Sequence, residues 1–247
     1  MSKILVEICC GSIDDAIQAA AGGADRIELN SAFFLGGLTP SLGTLLEARK
    51  RIDIPIITMV RPRAGGMYYS DAEFATMLSD AEMFLDNGAT GIAFGFLTKE
   101  GKIDQERTKR MMEIIDTHEA VFHRAFDVTP DPYEALEQLI MLGVNRVLTS
   151  GQQANVVDGW QCICQLLDQA KGRIEILPGA GLNEYNIELF VERTKCQQVH
   201  IAPMGWINDP SAAGNTRITY GGALYPSEVS LEAVDRTLMK KMTDRIS

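Results

Sequence analysis

Short apolar runs, each ending in or carrying one polar residue, alternate along this chain with longer stretches of helical period. The runs fall at residues 4–8, 26–29, 56–60, 91–94, 120–122, 146–148, 174–177 and 198–201. Each is followed by a segment whose apolar positions recur every three or four residues: 13–21, 41–51, 70–87, 105–116, 132–142, 156–170, 186–194 and 231–246. Runs this short and this apolar suit parallel strands covered by helices. Eight strand–helix units in succession predict a single α/β domain over 1–247, an eight-stranded parallel (β/α)8 barrel of the TIM type. A doubly wound open sheet is the competitor, but no glycine-rich fingerprint follows the first strand.

Punctuation supports this parse. Ser70-Asp71-Ala72-Glu73 is a capping-box pattern, and Pro40 and Pro132 stand near helix starts where a missing N–H costs little. Glycines at 22, 23, 88, 143 and 172 follow helices. Two connections break the rhythm: 30–40, with two phenylalanines and Gly36-Gly37, and the longer 202–230, rich in glycine and proline. Loops of that length in compact domains are usually functional or disordered, and 202–230 reads as a cover over the barrel mouth or as an oligomer contact.

The polar residues at strand ends carry the chemistry. Glu7, Glu28, Arg61, His123, Thr149 and His200 all stand at or near the carboxyl ends of strands, where barrels of this class place their sites. Alternation puts Cys9 on the face of Glu7, Asn30 on that of Glu28, and Arg63 in phase with Arg61. Such a set could bind a small anion and exchange protons with it, burial raising one carboxylate's pKa and an arginine lowering another's. It could equally be a buried ion-pair network, with pairs such as Glu7–Arg61 holding strand register.

In His123-Arg124-Ala125-Phe126-Asp127, a strand-end histidine precedes an aspartate able to orient it as a general base. The loops carrying Thr149, Ser150 and Gly151, and Gly179 and Gly181, could cradle a phosphate or carboxylate with backbone N–H groups. The candidate catalytic residues are therefore Glu7, Glu28, His123 and Asp127. Arg61, Arg63, Arg124, Thr149, Ser150, Gly151, Gly179, Gly181 and His200 are candidates for substrate binding.

Composition narrows the classes. A net charge of −10 and the lack of a basic stripe argue against nucleic acid. No apolar segment approaches the ~20 residues that span a bilayer, and the first residues read as a strand and not a leader. The five cysteines form no regular framework, which fits a reducing cytoplasm. No paired zinc spacing occurs, and Cys162-x-Cys164 lies on a predicted helix where positions two apart diverge. Of Cys9 and Cys10, alternation turns only Cys9 to the mouth, where a thiolate with Met59 or His200 would suit Cu(I). No organic cofactor is expected.

Several longer motifs, among them Val6-Glu7-Ile8-Cys9, Gly23-Ala24-Asp25-Arg26-Ile27-Glu28-Leu29, Gly36-Gly37-Leu38-Thr39-Pro40-Ser41, Arg61-Pro62-Arg63-Ala64-Gly65, Phe122-His123-Arg124-Ala125-Phe126-Asp127 and Val147-Leu148-Thr149-Ser150-Gly151, resemble the copper homeostasis protein CutC family. The resemblance implies an eight-stranded barrel, a cytoplasmic location, self-association as a homo-oligomer (dimer or tetramer), and an association with copper tolerance and Cu(I) binding. It also implies a metal site of two cysteines, one ending each of the first two strands. Cys9 matches the first; the second position holds Asn30, whose amide is a poor Cu(I) ligand. The two functional expectations are thus a copper-homeostasis protein with Cys9 at its mouth, and an enzyme acting on a small phosphorylated or carboxylated metabolite. A purely structural barrel, with 202–230 as its contact surface, is the third.

Overall fold

Helix caps are written locally and set where each strand hands over to its helix. The computed structural model describes residues 3–215, 217–218 and 230–247. Its elements run β1 (Leu5–Cys10), α1 (Ile13–Ala21), β2 (Arg26–Leu29), α2 (Leu42–Arg49), β3 (Ile56–Met59), α3 (Asp71–Asp86), β4 (Gly91–Phe94) and α4 (Gln105–Ile115). They continue with β5 (Glu119–Phe122), α5 (Pro132–Met141), β6 (Arg146–Thr149), α6 (Trp160–Ala170), β7 (Glu175–Pro178), α7 (Ile187–Thr194) and β8 (Gln198–Ile201). Ser12, Ser41, Asp104 and Asp131 each accept a backbone N–H of the first helical turn. Ser70 and Glu73 form the full reciprocal capping box.

All eight strands are parallel, in the order β7-β6-β5-β4-β3-β2-β1-β8. The ring closes through a parallel bridge between Gly179 and His200, while Gln198 Nε2 reaches the Ile176 carbonyl at 3.4 Å. The eight-stranded barrel predicted from the repeat is therefore the fold observed.

The outward strand phase (Ile8, Cys10, Ile27, Leu29, Ile92, Phe94, Phe122, Val147, Val199) packs against helix residues such as Ala16, Leu45, Met77, Met111, Leu136 and Ile163 as the main core. The inward phase is split. Ile57, Met59, Ala93, Val121, Leu148 and Leu177 form a separate apolar cluster inside the barrel. The opposite inner wall, from β1, β2 and β8, is polar. Glu7 pairs with the Nε of Arg26 and accepts from His200 Nδ1 at 2.7 Å; Arg26 also donates to Gln198 Oε1 at 3.0 Å. Arg146, first residue of β6, bridges Glu175 at 2.6 Å and Glu119 at 2.9 Å.

The chain departs from expectation after β8. The predicted helix over 231–246 begins instead as a strand. Met204–Asn208 (β9) and Ser230–Val234 (β10) form an antiparallel pair, and the last helix is only α8 (Arg236–Thr243), capped by Asp235. The apolar residues of 231–234 fit either period, and tertiary pairing decides between them. Buried Asp15 anchors the pair by accepting Val234 N–H at 2.8 Å and Gly11 N–H at 3.0 Å. Of the long connection 202–230, residues 216 and 219–229 lie outside the described residues.

The Glu7–Arg26 pair yields a stability prediction. Both side chains are buried, and removing one partner leaves an uncompensated charge. Arg26→Met is expected to lower unfolding free energy by about 3 kcal/mol or more, measured by urea denaturation. A loss within error of zero would show that His200 alone neutralises Glu7.

Candidate functional site

A cavity of about 590 Å³ opens at the carboxyl ends of the strands. Its inner wall carries Cys9 (β1), Glu28 and Asn30 (at the end of β2), Arg61 (after β3), His123 (after β5) and His200 (β8). Its outer wall is largely apolar, with Phe33, Phe34, Met67, Leu182, Met204 and Trp206, and Met59 and Leu148 of the interior cluster line it from below. Glu232 on β10 and Arg124 stand at the rim. Such a pocket lies in the size range of small-molecule sites.

Glu28 and Asn30 share a face of β2, and the Asn30 amide donates to Glu28 Oε2 at 2.8 Å and to Cys9 Sγ at 3.5 Å. The Cys9 thiol donates toward the same Glu28 oxygen at 3.8 Å. Glu28 Oε1 is buried and has no partner among the described residues. Burial raises the Glu28 pKa, with Glu7 adding to the effect and His200 opposing it. For Glu7, burial would also raise the pKa. The His200 hydrogen bond and the charges of Arg26, His200 and Arg146 outweigh it and hold the carboxyl at about 2. Two carboxyls of one wall are thus driven apart. His200 is pushed up: burial disfavours its charge, but Glu7 and Glu28 together prevail.

His123 sits deep because Gly95 makes room for it; a Cβ at position 95 would lie 2.5 Å from the imidazole. Its Nδ1 accepts the Ala125 N–H at 3.1 Å, so the neutral ring carries its proton on Nε2, which is buried without a partner among the described residues. Burial, reinforced by the Arg61 charge, lowers its pKa to about 3. Arg61 holds the loop after β2 by donating to the carbonyls of Leu35 and Gly37 at 2.8 Å each and of Gly65 at 3.1 Å. Its Nε has no partner, and no carboxylate among the described residues neutralises it within ion-pair distance.

Other candidates stand elsewhere. Asp127 does not orient His123. It accepts from Thr149 Oγ1 at 2.5 Å, from the Ser150 N–H at 3.0 Å and hydroxyl at 2.9 Å, and from Arg124 Nε at 2.7 Å. Thr149 lies in the phase opposite to Arg146 and Leu148, and therefore points outward to Asp127 and not into the barrel. Ser150 and Gly151 follow it into the same clamp, since the Gly151 N–H is held by Thr149 Oγ1 at 2.9 Å. Arg63 pairs with Glu73 at 2.5 Å and with the carbonyls of Gly66 and Tyr68, away from the cavity that Arg61 lines. Gly179 gives its N–H to the Thr149 carbonyl at 3.0 Å. Gly181 lines the cavity beside Ala180; both have positive φ, +88° and +80°. An alanine so placed is strained, and strain of this kind concentrates at sites.

Arg26, Arg146 and Gln198 are interior residues that the strand-end search passed over, because they begin strands. Alternation from Glu28, Leu148 and His200 is the signal that finds them. The aromatic rim joins Phe33 and Phe34 of the connection 30–40 to Trp206 of β9, and its signal is the length of the two connections that break the repeat.

One metal-competent group occurs among the described residues: ligand atoms of Cys9, Glu28 and His200 lie within 4.8 Å of one another. Glu7 on Nδ1 leaves the other nitrogen of His200 available. The Cys9 thiol is pushed well above its ordinary pKa, first by burial and then by Glu28. A pair of thiolates does not fit this wall, because Asn30 stands at the second position and donates a hydrogen bond to the first. Cys10 faces the opposite way, into the helix-side core. No helix among the described residues is long and apolar enough to cross a membrane.

Comparison with known proteins places this geometry in a lineage. A CutC family protein of Treponema denticola is 50% identical over 242 residues, spanning 98% of each chain. The human copper homeostasis protein cutC homolog is 39% identical over 238 residues, covering 96% of this chain and 87% of its own. The crystal structure of CutC from Streptococcus agalactiae superposes with a TM-score of 0.76 at 30% identity, over 80% of this chain and 97% of that one. Phosphoribosylanthranilate isomerase from Pyrococcus furiosus, at 14% identity and a TM-score of 0.55, shares the barrel fold alone. The CutC family profile matches residues 4–205, and the chain belongs to the CutC family.

Proposed function

We propose that the barrel mouth binds a small anionic metabolite, carboxylated or phosphorylated, and transfers a proton to or from it. The observation that carries this reading is the buried Arg61 guanidinium, which no carboxylate neutralises among the described residues, beside an acid and an imidazole of opposed tuning. Arg61 supplies the countercharge. Glu28, its pKa raised by burial, is the proton donor. The neutral His123 donates a hydrogen bond from Nε2 without competing for the anion's charge. His200, held by Glu7, is the second proton carrier, on the same wall as Glu28.

A second reading follows the name of the human and mouse relatives, copper homeostasis protein cutC homolog. Cu(I) would be held by Cys9 Sγ with His200, supported by their proximity in the Cys9–Glu28–His200 group and by the Met59 thioether in the same cavity. The thiol must lose its proton on binding, against the burial and the Glu28 charge that retain it. Both readings take the protein as cytoplasmic and self-associating. The five free cysteines support the first, and exposed Ile207 and Leu231 support the second.

A thermal-shift screen of carboxylated and phosphorylated metabolites tests the first reading. A ligand at a hundred times its Kd is expected to raise Tm by roughly 5 °C or more, and a Glu28→Gln, His123→Asn double variant should abolish the shift. Shifts that persist unchanged in the double variant would sink it. The copper reading is checked by anaerobic Cu(I) competition titration of the reduced protein beside Cys9→Ser and Cys10→Ser. Near-stoichiometric binding lost only with Cys9→Ser is its expected result, and binding indifferent to Cys9 would end it.

The neutrality of His123 has its own signature. Its folded pKa lies near 3, below the ordinary 6.5, so the unfolded chain takes up a proton first. The contribution is therefore fully present above pH 6.5 and lost as pH falls toward 3. At pH 5 the loss should be about 2 kcal/mol by urea unfolding, and a His123→Gln variant should lack it. His200, shifted upward, acts in the other window: its contribution is present below 6.5 and fades as pH rises through its folded value. An unchanged acid slope in His123→Gln would mean that His123 is protonated in the folded protein.

A further inference from the structure

Resting on the reading of the mouth as an anion site, we infer that its ligand is an organic carboxylate with an apolar, planar body, and not a phosphate ester. Three independent features lead there.

The first is that the backbone donors of the loop after β6, one of the late loops of the barrel, are already filled from within. Barrels bind phosphate on backbone N–H groups of their late strand–helix loops. Here the loop after β6 wraps around the Asp127 carboxylate, which accepts the Ser150 N–H at 3.0 Å and the Gln152 N–H at 3.4 Å, along with two hydroxyls. The Gly151 and Gly179 N–H groups are bonded to Thr149, and the Met204 N–H to the Ala202 carbonyl at 2.9 Å. Pro203 has no N–H to offer. An internal carboxylate, paired with Arg124 Nε at 2.7 Å, therefore occupies the donors of this loop.

The second is the donor pair deeper in the cavity. Arg61 Nε and His123 Nε2 are both buried donors that lack an acceptor among the described residues. Each side chain is more than nine-tenths buried and lines the cavity. Unpaired buried donors are costly unless something accepts from them. Two such donors match the two oxygens of one carboxylate.

The third is the outer wall. The cavity of about 590 Å³ far exceeds the space of a carboxylate. The excess is bounded by Phe33, Phe34, Met67, Met204 and Trp206, with Arg124 and Glu232 the charged side chains at its rim. Aromatic and thioether side chains around a slot favour a flat apolar group. Trp206 is half exposed, at 57%, so a bound ring would cover apolar surface that water now meets.

Trp206 is one of two tryptophans, and a Trp160→Phe background makes its fluorescence the readout. The probes are 3-phenylpropanoate, propanoate, phenyl phosphate and inorganic phosphate, titrated into the full chain. Binding of 3-phenylpropanoate roughly tenfold or more tighter than that of propanoate is expected from burial of the ring, and phenyl phosphate, with the same ring on a different anion, should bind more weakly than 3-phenylpropanoate. Phe34→Ala, at a half-exposed position, should erase most of the preference for the ring while leaving propanoate unchanged. Arg61→Lys should weaken both carboxylates, and circular dichroism will show whether the loop it holds stays folded. Phenyl phosphate or inorganic phosphate binding as tightly as 3-phenylpropanoate, with loss in the Glu28→Gln, His123→Asn double variant, would overturn this inference and leave the anion site standing. Failure of all four probes to bind would overturn the inference, while the metabolite screen decides separately on the anion site.

Discussion

A carboxylate buried inside a barrel must be neutralised where it stands, and the arrangement around Glu7 follows from that requirement. Arg26 meets it from β2 and His200 from β8, the two strands that flank β1. With Nδ1 committed to Glu7, His200 has only its other nitrogen left for the mouth. The same bond draws β8 against β1, beside the bridge from β7 that closes the ring. A charge that would be a liability in an apolar core thus organises half of the interior. Its cost is offset by hydrogen bonding on both sides.

The interior is consequently divided. β3 to β7 supply an apolar wedge and β1, β2 and β8 a polar wall, so dielectric and charge change across the width of one barrel. This division makes Glu28 and Glu7 titrate apart: one carboxyl has an arginine and a histidine as partners, the other an amide and a thiol. On the far side, burial, reinforced by the Arg61 charge, keeps His123 neutral, and Arg61 has no carboxylate partner among the described residues, so the mouth combines a fixed positive charge with a neutral hydrogen-bond donor. Asn30 completes the wall. Its amide donates to both Cys9 and Glu28, a role that a cysteine at the same place would not fill.

The local pattern determined more of the fold than of the site. The cap at Ser70 and the apolar strands were legible because each depends on residues within one turn of itself. Alternation also assigned Cys9 to the mouth and Cys10 to the helix side, since a strand's two faces are set by parity alone. It failed at Thr149, where the residue ending a strand was read as an inward one, and at residues 231–234, whose composition suits a helix turn as well as a strand.

What the sequence by itself determined was the barrel, the ends of most of its elements, and the fact that acids, histidines and an arginine gather at one end. Those follow from period and order, which are properties of the chain. The tertiary structure alone decided which charges meet. It turned Asp127 from a partner of His123 into the occupant of a backbone cradle, gave Glu7 to Arg26 instead of Arg61, and drew Phe33, Phe34 and Trp206 from distant loops into one rim. Those outcomes depend on distances between segments far apart in the chain, and no local pattern encodes them.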